Sequence, residues 1–272
     1  MTLDQSRHQD LLIDQPAPAV LRLTLNRPDK LNAYSTRLCE ELVDALESYL
    51  RDDGLRVLII TGAGRGFCAG GDISGGDADH AALMGTQLSH AREMRDGMHR
   101  VILRLQRLDK PVIAAINGPA VAGGLALALA CDIRIASSAA KLGDTSGKFG
   151  LLPDEGGAWL FPRAMGLDRA LKMTLLSEVY EAEEAGRLGL VTEIVAPDQL
   201  EARSLDLAQT LAAKAPLAVR LSKAMMMRAQ DQSLEQSLGD AALSVMVANP
   251  SDDVREGVRA FFDKRPPKFT GR

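Results

Sequence analysis

Residues 117–132 read NGPAVAGGLALALACD and place glycines where an apolar strand ends and a helix begins. The run before them, 112–116, is apolar and β-branched, and a similar run precedes a second small-residue segment, FCAGGDI at 67–73. Small residues at a strand end let a ligand approach backbone N–H groups. The amides of Gly71 and Gly123, the latter at the positive end of its helix, can thus share one carbonyl oxygen as an oxyanion hole. Taken singly, each glycine cluster is more typical of a tight turn or a close packing contact.

The composition is that of an ordinary globular protein and argues against several classes of function. The 272 residues are 46% hydrophobic and 25% charged, with a formal net charge of −4. Such a chain forms one large domain or two smaller ones. An acidic balance gives no general attraction for nucleic acid or anionic membrane, so any bound phosphate must meet a local group of cations. The sequence shows no metal-ligand spacing, and we predict no metal, no nucleic-acid partner and no membrane partner.

The cysteines and the N-terminal sequence are typical of a cytoplasmic protein. Three cysteines, at positions 39, 68 and 131, form no disulfide framework, and reduced thiols suit the cytosol. Cys68 lies beside the predicted site but has no base next to it in sequence, which favours a packed thiol over a nucleophile. The first ten residues lack the basic start and apolar region of a secretory signal.

Hydrophobic periodicity predicts an α/β architecture. Residues 20–25 alternate as a half-buried strand does, and residues 35–53 have helical spacing with Ser35 or Thr36 as the N-cap. A further helix is predicted from Gly123 and another at 89–107. Buried strands are predicted at 57–61, 112–116 and 132–136. Extended and helical pieces that alternate in this way indicate strands joined by helices.

The last quarter of the chain has a purely helical pattern. We therefore predict a core of residues 1–198 and a helical C-terminal module of residues 199–272. Apolar residues of this module such as Met226 are interpreted as interface packing rather than as an adaptable binding surface. Upstream, residues 74–85 are rich in Gly, Asp and Ser and are interpreted as a mobile flap over the ligand.

The chain resembles the crotonase superfamily of enoyl-CoA hydratases and isomerases, whose members act on acyl-CoA thioesters. The motifs are LNRP at 25–28, LNA at 31–33, TGAGRGFCAGGD at 61–72, REG at 255–257 and FDKR at 262–265. The resemblance implies an α/β fold, the crotonase (ClpP-like) spiral of repeated β-β-α units with a helical C-terminal trimerisation module. It also implies that the amides of Gly71 and Gly123 hold the thioester oxygen.

Hydratases of this superfamily use two glutamates, which align here with Ala126 and Ser146. Alanine carries no proton and a serine hydroxyl is a very weak base near neutral pH, so hydration by two glutamates is disfavoured. The segments GLLPDEGG at 150–157 and KRPPKFTG at 264–271 resemble instead the ring-epoxide and enoyl-CoA isomerases of bacterial phenylacetate degradation. That resemblance implies that Asp154 is catalytic, because one carboxylate is enough to move a proton between two carbons.

The residues themselves leave alternatives open for this acidic pair. An aspartate after proline and before a helix is typically an N-cap, a role that is compatible with catalysis by Asp154. Glu155 departs from the isomerase pattern and is either a second proton carrier or a solvated carboxylate. His80, His90 and His99 have no partner visible in the sequence and receive no role.

The resemblance also implies a binding site for coenzyme A, which enters as part of the substrate rather than as a covalently bound cofactor. Ala69 and Ile73 are expected to flank the adenine, with Asp72 in the same binding segment. Arg27 is expected near the pyrophosphate, and Lys264 is expected to reach the adenosine phosphate of a neighbouring subunit. For both cations a solvated surface charge is the alternative.

These observations predict a cytoplasmic acyl-CoA isomerase, a homotrimer or hexamer, that moves a double bond or rearranges a strained ring beside the thioester. The nearest alternative is a hydratase or a carbon–carbon bond hydrolase that uses Asp154 or Glu155 to position water. A non-catalytic acyl-CoA-binding or scaffold protein is the alternative from another class, because the hydratase glutamates are missing.

Overall fold

The computed structural model describes residues 8–73 and 87–272, and the flap predicted at 74–85 lies outside these ranges. The strands are β1 (Leu11–Ala17), β2 (Val20–Leu25), β3 (Val57–Gly62), β4 (Val112–Ile116), β5 (Ala120–Val121), β6 (Ile133–Ser137), β7 (Lys141–Gly143), β8 (Val179–Glu181) and β9 (Glu193–Val195). The first helices are α1 (Thr36–Arg51), α2 (Gln87–Asp96), α3 (Met98–Arg107), α4 (Gly123–Leu129), α5 (Gly157–Met165), α6 (Leu167–Leu176) and α7 (Ala182–Arg187). The C-terminal helices are α8 (Leu200–Ala212), α9 (Pro216–Ala229), α10 (Leu234–Ala248) and α11 (Asp252–Phe262).

The strands form two sheets. A six-stranded sheet has the order β1-β2-β3-β4-β6-β9, and a three-stranded sheet has the order β5-β7-β8. In the larger sheet β1 and β2 are antiparallel, whereas every pairing from β2 to β9 is parallel. All five residues of β4 are buried, as expected for a parallel strand that is covered on both faces. The α/β fold class is thus confirmed.

Side chains on the two faces of the larger sheet pack into two different apolar layers. Leu58 and Ile60 of β3 belong to the main apolar core, together with residues of α1 and α3. Val57 and Ile59 point to the opposite face and pack with residues of α8. Successive side chains of a strand point to opposite faces, so one short apolar run serves both layers. The carboxyl ends of β3 and β4 are consequently held side by side.

The predicted elements and the observed ones differ in several places, and the strands β5, β7, β8 and β9 were not predicted. The sequence analysis did not predict β1, which pairs with β2 through a register irregularity between Asp14 and Ala17. The helix predicted at 89–107 is divided into α2 and α3 at Gly97, whose φ of −102° and ψ of −106° are not helical. The N-cap of α1 is Ser35, one of the two predicted candidates, and its side chain accepts a hydrogen bond from the Leu38 amide.

The C-terminal helices are tied to the sheet as well as to one another. Helix α8 covers one face of the larger sheet. Helix α9 is joined to the segment before β4 by Arg220–Asp109 at 2.7 Å and to the segment before β6 by Lys223–Asp132 at 2.6 Å. The boundary at residue 198 remains a prediction. Several large apolar side chains of α9 to α11 are exposed in the single chain, including Met226, Leu243, Val247 and Phe262.

Two findings bear on the classes excluded above. Among the helices of the described ranges, none is long and apolar enough to cross a membrane. The same part of the chain contains no group of three or more His, Cys, Asp or Glu side chains arranged to hold a metal ion.

Candidate active site

A cavity of about 320 Å³ lies beyond the carboxyl ends of β3 and β4, the edge of a parallel sheet at which ligands commonly bind. Its wall combines the start of α1, the segment after β3, parts of α2 and α3, and the segment that precedes α5. Asp154 and Glu155 both line this cavity, and so do Gly71 and Ser146. The structure therefore gathers residues from distant parts of the sequence around one space.

The two glycine-containing segments contact each other directly through their backbones. The amides of Phe67 and Cys68 both donate to the Pro119 carbonyl at 3.0 Å, and the Val121 amide donates to the Cys68 carbonyl at 3.1 Å. A Cβ atom at Gly124 would lie 2.0 Å from the Cys68 carbonyl oxygen. Only glycine allows so close an approach between the segments.

Gly71 and Gly123 lie close together beside this junction, because a Cβ atom at Gly70 would be only 3.5 Å from the Gly123 amide nitrogen. Tyr34 donates its amide to the Gly70 carbonyl at 2.8 Å and accepts from the Asp72 amide at 3.0 Å, which leaves the Gly71 amide out of that pairing. Within residues 8–73 and 87–272, neither the Gly71 amide nor the Gly123 amide has a hydrogen-bond acceptor. Two unpaired amides beside one cavity are the elements of an oxyanion hole.

The residue before Gly123 has a strained backbone. Ala122 has a φ of 50° and a ψ of −125°, a conformation that residues with a side chain rarely adopt. Strain of this kind costs about 1–3 kcal/mol and is concentrated at ligand-binding and active sites. In this conformation the Ala122 amide donates a hydrogen bond to the Gly143 carbonyl at 3.0 Å.

Tyr34 and Glu155 pack together against the two glycines. The Tyr34 hydroxyl donates to Glu155 Oε1 at 2.7 Å. A Cβ atom at Gly123 would lie 2.5 Å from that same oxygen and 2.7 Å from the Tyr34 ring, and one at Gly71 would lie 3.3 Å from the Tyr34 hydroxyl. The carboxyl group of Glu155 is therefore adjacent to one half of the candidate oxyanion hole.

Glu155 is a buried acid with an altered proton affinity. The residue is only 6% exposed, and burial raises the pKa of its carboxyl group to about 7. The Tyr34 hydrogen bond opposes this rise by stabilising the charged form, while the neighbouring charge of Asp154 adds to it. In the part of the chain that the structure describes, Glu155 Oε2 has no hydrogen-bond partner. A carboxyl group of this kind can gain or lose a proton near neutral pH.

Asp154 occupies a different position, at the mouth of the cavity. Its side chain is 36% exposed and one carboxylate oxygen lies 3.4 Å from His90 Nε2. His99 Nε2 donates to the Asp154 backbone carbonyl at 2.8 Å. The N-cap of α5 is Gly156, and no side chain caps that helix, so the capping alternative for Asp154 is wrong. His90 and His99, which received no role, are thus both neighbours of Asp154.

Three other side chains near the junction carry no evident proton chemistry. Ala126 and Ser146, the positions that align with the hydratase glutamates, are both buried. Cys68 is free and fully buried, and burial raises the pKa of its thiol to about 12. A thiol that stays protonated at neutral pH is a poor nucleophile, which agrees with the interpretation of Cys68 as a packed residue.

Four of the five predicted coenzyme A contacts lie near the cavity. Ala69, Asp72 and Ile73 line it, and Ile73 is 39% exposed. Arg27 reaches the same place but is bonded to protein groups, with its guanidinium 2.8 Å from an Asp72 carboxylate oxygen and 2.5 Å from the Ala33 carbonyl. Any phosphate contact by Arg27 must share the guanidinium with this largely buried ion pair.

The remaining predicted contact is not brought to the cavity by this chain. Lys264 follows α11, is exposed and has a φ of 53°, and it is absent from the cavity wall formed by the described residues. Its role towards a neighbouring subunit remains a prediction. Lys30, a cation that the sequence analysis did not single out, lines the cavity instead.

Tyr34 is the main residue that sequence reasoning missed. It directly follows the LNA motif, and Glu155 lies 121 residues further along the chain. The available signal was its place two residues before the first residue of a helix, directly after a motif that the family resemblance had singled out. A phenol there is also compatible with ordinary core packing, so only the fold identifies its partner.

Comparison with known proteins identifies the family of this chain. Residues 16–272 match the family described as enoyl-CoA hydratase/isomerase. The 1,2-epoxyphenylacetyl-CoA isomerase of Escherichia coli is 36% identical over 97% of this chain and 99% of its own length. The (E)-benzylidenesuccinyl-CoA hydratase of Thauera aromatica is 38% identical over 93% of this chain and 96% of its own.

A solved structure shows the same architecture. The enoyl-CoA hydratase from Bacillus anthracis superposes with a TM-score of 0.91 at 32% sequence identity, covering 97% of this chain and 100% of that one. The fold, the junction of the two glycine segments and the relatives lead to one conclusion. The chain belongs to the enoyl-CoA hydratase/isomerase family, the crotonase superfamily.

Proposed function

We propose that this protein is an acyl-CoA isomerase that moves a double bond, or rearranges a strained ring, next to the thioester. The amides of Gly71 and Gly123 would hold the thioester oxygen, and Glu155 would carry the proton. For a 3-enoyl thioester, Glu155 takes a proton from the α-carbon and the electron pair spreads onto the thioester oxygen. Glu155 then gives a proton to the γ-carbon, either the one it removed or one exchanged with solvent, which gives the 2-enoyl product with no net loss or gain of atoms.

The observation that carries this proposal is the contact between Glu155 and Gly123. Negative charge develops on the thioester oxygen during deprotonation, and preorganised amides stabilise it there. The α-carbon is one bond away from the carbonyl carbon, so its base must lie close to the oxyanion hole. Glu155 packs so closely against Gly123 that a Cβ atom there would lie 2.5 Å from Oε1. The pKa of Glu155, about 7, suits a base at neutral pH.

Isomerisation requires fewer proton-carrying groups in the site than hydration does. A hydratase must activate water on one side and protonate a carbon, and the aligned positions Ala126 and Ser146 offer no carboxylate for this. One carboxylate suffices for the shuttle of a proton between two carbons. Hydration remains the second candidate because the family includes named hydratases such as that of Thauera aromatica.

Asp154 was the proton carrier favoured by the sequence, and the geometry shifts the preference by one residue. Its carboxylate faces His90 at the cavity mouth, whereas that of Glu155 is buried beside Gly123. Asp154 contributes to Glu155 through its charge, which favours the protonated form of the neighbour. The variants Asp154→Asn and Glu155→Gln separate the two assignments.

For the substrate, we propose an apolar acyl group that carries an aromatic or alicyclic ring. Met94, Met98, Cys39 and Ala33 form an apolar part of the cavity wall. Methionine sulfur also makes favourable contacts with aromatic rings. The two relatives described above are named for acyl groups with an aromatic or epoxidised ring.

Coenzyme A would belong to the substrate, the assembly would be a homotrimer or hexamer, and the location would be the cytoplasm.

A panel of CoA thioesters tests the proposal. The purified protein is incubated with 3-enoyl, 2-enoyl and ring-bearing acyl-CoA thioesters, and the products are followed by mass spectrometry and ultraviolet spectra. An unchanged mass with a new spectrum is the expected result. A gain of one water would establish the hydratase instead, and binding without any conversion across the panel would favour a non-catalytic acyl-CoA-binding protein.

A further inference from the structure

Tyr34 is the side chain that joins the candidate oxyanion hole to the candidate base. Its backbone pairs with Gly70 and Asp72 on the segment after β3. Its hydroxyl reaches across to Glu155 Oε1 at 2.7 Å, and its ring lies against Gly123. One residue thus contacts both glycines and the acid, and no motif of the sequence analysis assigned it a role.

We propose that Tyr34 is a positioning residue for the reaction: its hydroxyl orients Glu155 towards the substrate carbon and keeps that carboxyl group ionised and ready to accept a proton. This inference rests on the proposed function, because it assumes that Glu155 is the base. Tyr34 acts through a single hydrogen bond, which its hydroxyl donates to Glu155 Oε1.

The hydrogen-bonding of Glu155 supports this assignment. Oε1 accepts from Tyr34, whereas Oε2 has no partner among the residues that the structure describes. A buried polar atom without a partner is costly and calls for an explanation. The difference between the two oxygens is explained if Tyr34 holds the carboxylate by Oε1 and Oε2 is left to receive the transferred proton. The phenol thereby fixes which oxygen is available to a substrate.

The surroundings explain why such a donor is needed. Burial disfavours the charged form of Glu155, as does the charge of Asp154. A hydrogen bond to the ionised form works against both effects, and charge-assisted bonds are about twice as strong as neutral ones. The same pair raises the pKa of the Tyr34 phenol well above its ordinary value, chiefly through burial and then through the charge of Glu155. The proton therefore stays on Tyr34 while Glu155 exchanges its own.

A purely structural role for Tyr34 makes a different prediction. If the ring only fills space, removal of the hydroxyl changes stability and leaves the proton affinity of Glu155 unaltered. Tyr34→Phe removes the hydroxyl and retains the ring. Tyr49→Phe is the matched control, because the Tyr49 hydroxyl is also buried and donates to a backbone carbonyl, that of Pro111, at 3.2 Å.

The decisive experiment titrates Glu155 in the ligand-free protein. Infrared spectra recorded against pH follow the carbonyl stretch of the protonated carboxyl group, and subtraction of the Glu155→Gln spectra assigns the signal. Hydrogen bonds to charged groups contribute enough to shift a titration by about one pH unit or more. We expect Tyr34→Phe to move the Glu155 midpoint to higher pH by at least that amount, and Tyr49→Phe to leave it unchanged. An unchanged midpoint in folded Tyr34→Phe overturns the inference.

A second substitution gives a test in the opposite direction, which remains available if Tyr34→Phe fails to fold. Incorporation of 3-fluorotyrosine at position 34 makes the phenol a stronger hydrogen-bond donor and keeps the ring. The Glu155 midpoint is then expected at lower pH than in the unmodified protein. A midpoint that stays the same, or that rises, contradicts the assigned role.

Activity separates this inference from the proposed function. The acid limb of the kcat/KM profile should move with the Glu155 midpoint, so that Tyr34→Phe loses at least about fivefold at pH 7 and recovers in alkaline buffer. A pH-independent loss of kcat would overturn the positioning role while the isomerase assignment stands. A shifted midpoint in a protein that converts no thioester would retain the Tyr34 contact and refute the proposed function.

Discussion

Replacement of Gly123 by alanine adds one methyl group at the most crowded point of the candidate site. The new Cβ atom would lie 2.5 Å from Glu155 Oε1 and 2.7 Å from the Tyr34 ring. Carbon and oxygen atoms in ordinary contact are about 3.5 Å apart, so Glu155 must retreat by roughly 1 Å. A displacement of that size in a reacting group costs about a hundredfold in rate, or about 2.7 kcal/mol of activation free energy.

The same substitution should affect folding far less than catalysis. Overpacking costs about 1–3 kcal/mol, and alanine regains up to about 1 kcal/mol because it is a better helix former than glycine. Gly123 has no positive φ, so alanine meets no backbone strain there. We therefore expect a kcat about a hundredfold lower with a loss of no more than about 2 kcal/mol in the free energy of unfolding.

Steady-state kinetics and urea unfolding measure the two effects, with Gly239→Ala as the matched control. Gly239 lies within α10, and a Cβ atom there meets nothing within 4 Å in the described chain. Gly239→Ala should keep the wild-type kcat and raise stability by up to about 1 kcal/mol. A folded Gly123→Ala variant with a kcat within threefold of wild type would refute the assigned contact between Glu155 and the oxyanion hole.

Three further predictions follow from the burial of Glu155 and from the sequence. Because the pKa of Glu155 is raised to about 7, the folded state binds more protons than the unfolded state from about pH 4.5 to 7, and wild-type stability should fall as the pH rises through that window, by at most about 3 kcal/mol. The stability of Glu155→Gln should not depend on pH in this way. Urea unfolding should therefore show that the free energy of unfolding of Glu155→Gln, relative to that of wild type, is higher at pH 8 than at pH 5. The same difference between the two proteins at both pH values contradicts the buried acid. Lys264→Ala should raise KM for CoA thioesters and leave the turnover of the same acyl group on a short thiol nearly unchanged, since a distant phosphate contact is mostly uniform binding; equal losses on both substrates would place Lys264 in folding or in catalysis. The exposed apolar side chains of α9 to α11, among them Met226, Leu243 and Val247, predict a trimer or hexamer by sedimentation, and a monomer at micromolar concentration contradicts it.

Local sequence signals were sufficient for the central strands of the larger sheet and for the helix that begins at Thr36. Apolar runs marked β3 and β4 because parallel strands are buried on both faces, and Ser35 marked the start of α1 because its hydroxyl caps that helix. The glycines of the two junction segments were found because a close backbone approach excludes side chains, as at Gly124. Each of these features leaves a local residue pattern that a single sequence displays directly.

The missed features all depend on contacts between distant residues. Tyr34 and Glu155 come together only when α1 and the segment before α5 are both packed around the cavity. In the same way, the pairing of Arg27 with Asp72 joins two predicted ligand contacts to each other. The preference for Asp154 over Glu155 arose from alignment, whereas burial, which distinguishes the two, is a property of the folded chain.

Hydrogen exchange from the bound substrate tests the central claim most directly. The wild-type protein, Glu155→Gln and Asp154→Asn are each incubated with a converted acyl-CoA thioester in deuterated water, and deuterium at the α- and γ-carbons is counted by mass spectrometry. The account predicts exchange by wild type and by Asp154→Asn, and a loss of about a hundredfold or more in Glu155→Gln, which should still bind the thioester. Exchange at the wild-type rate in Glu155→Gln would contradict it.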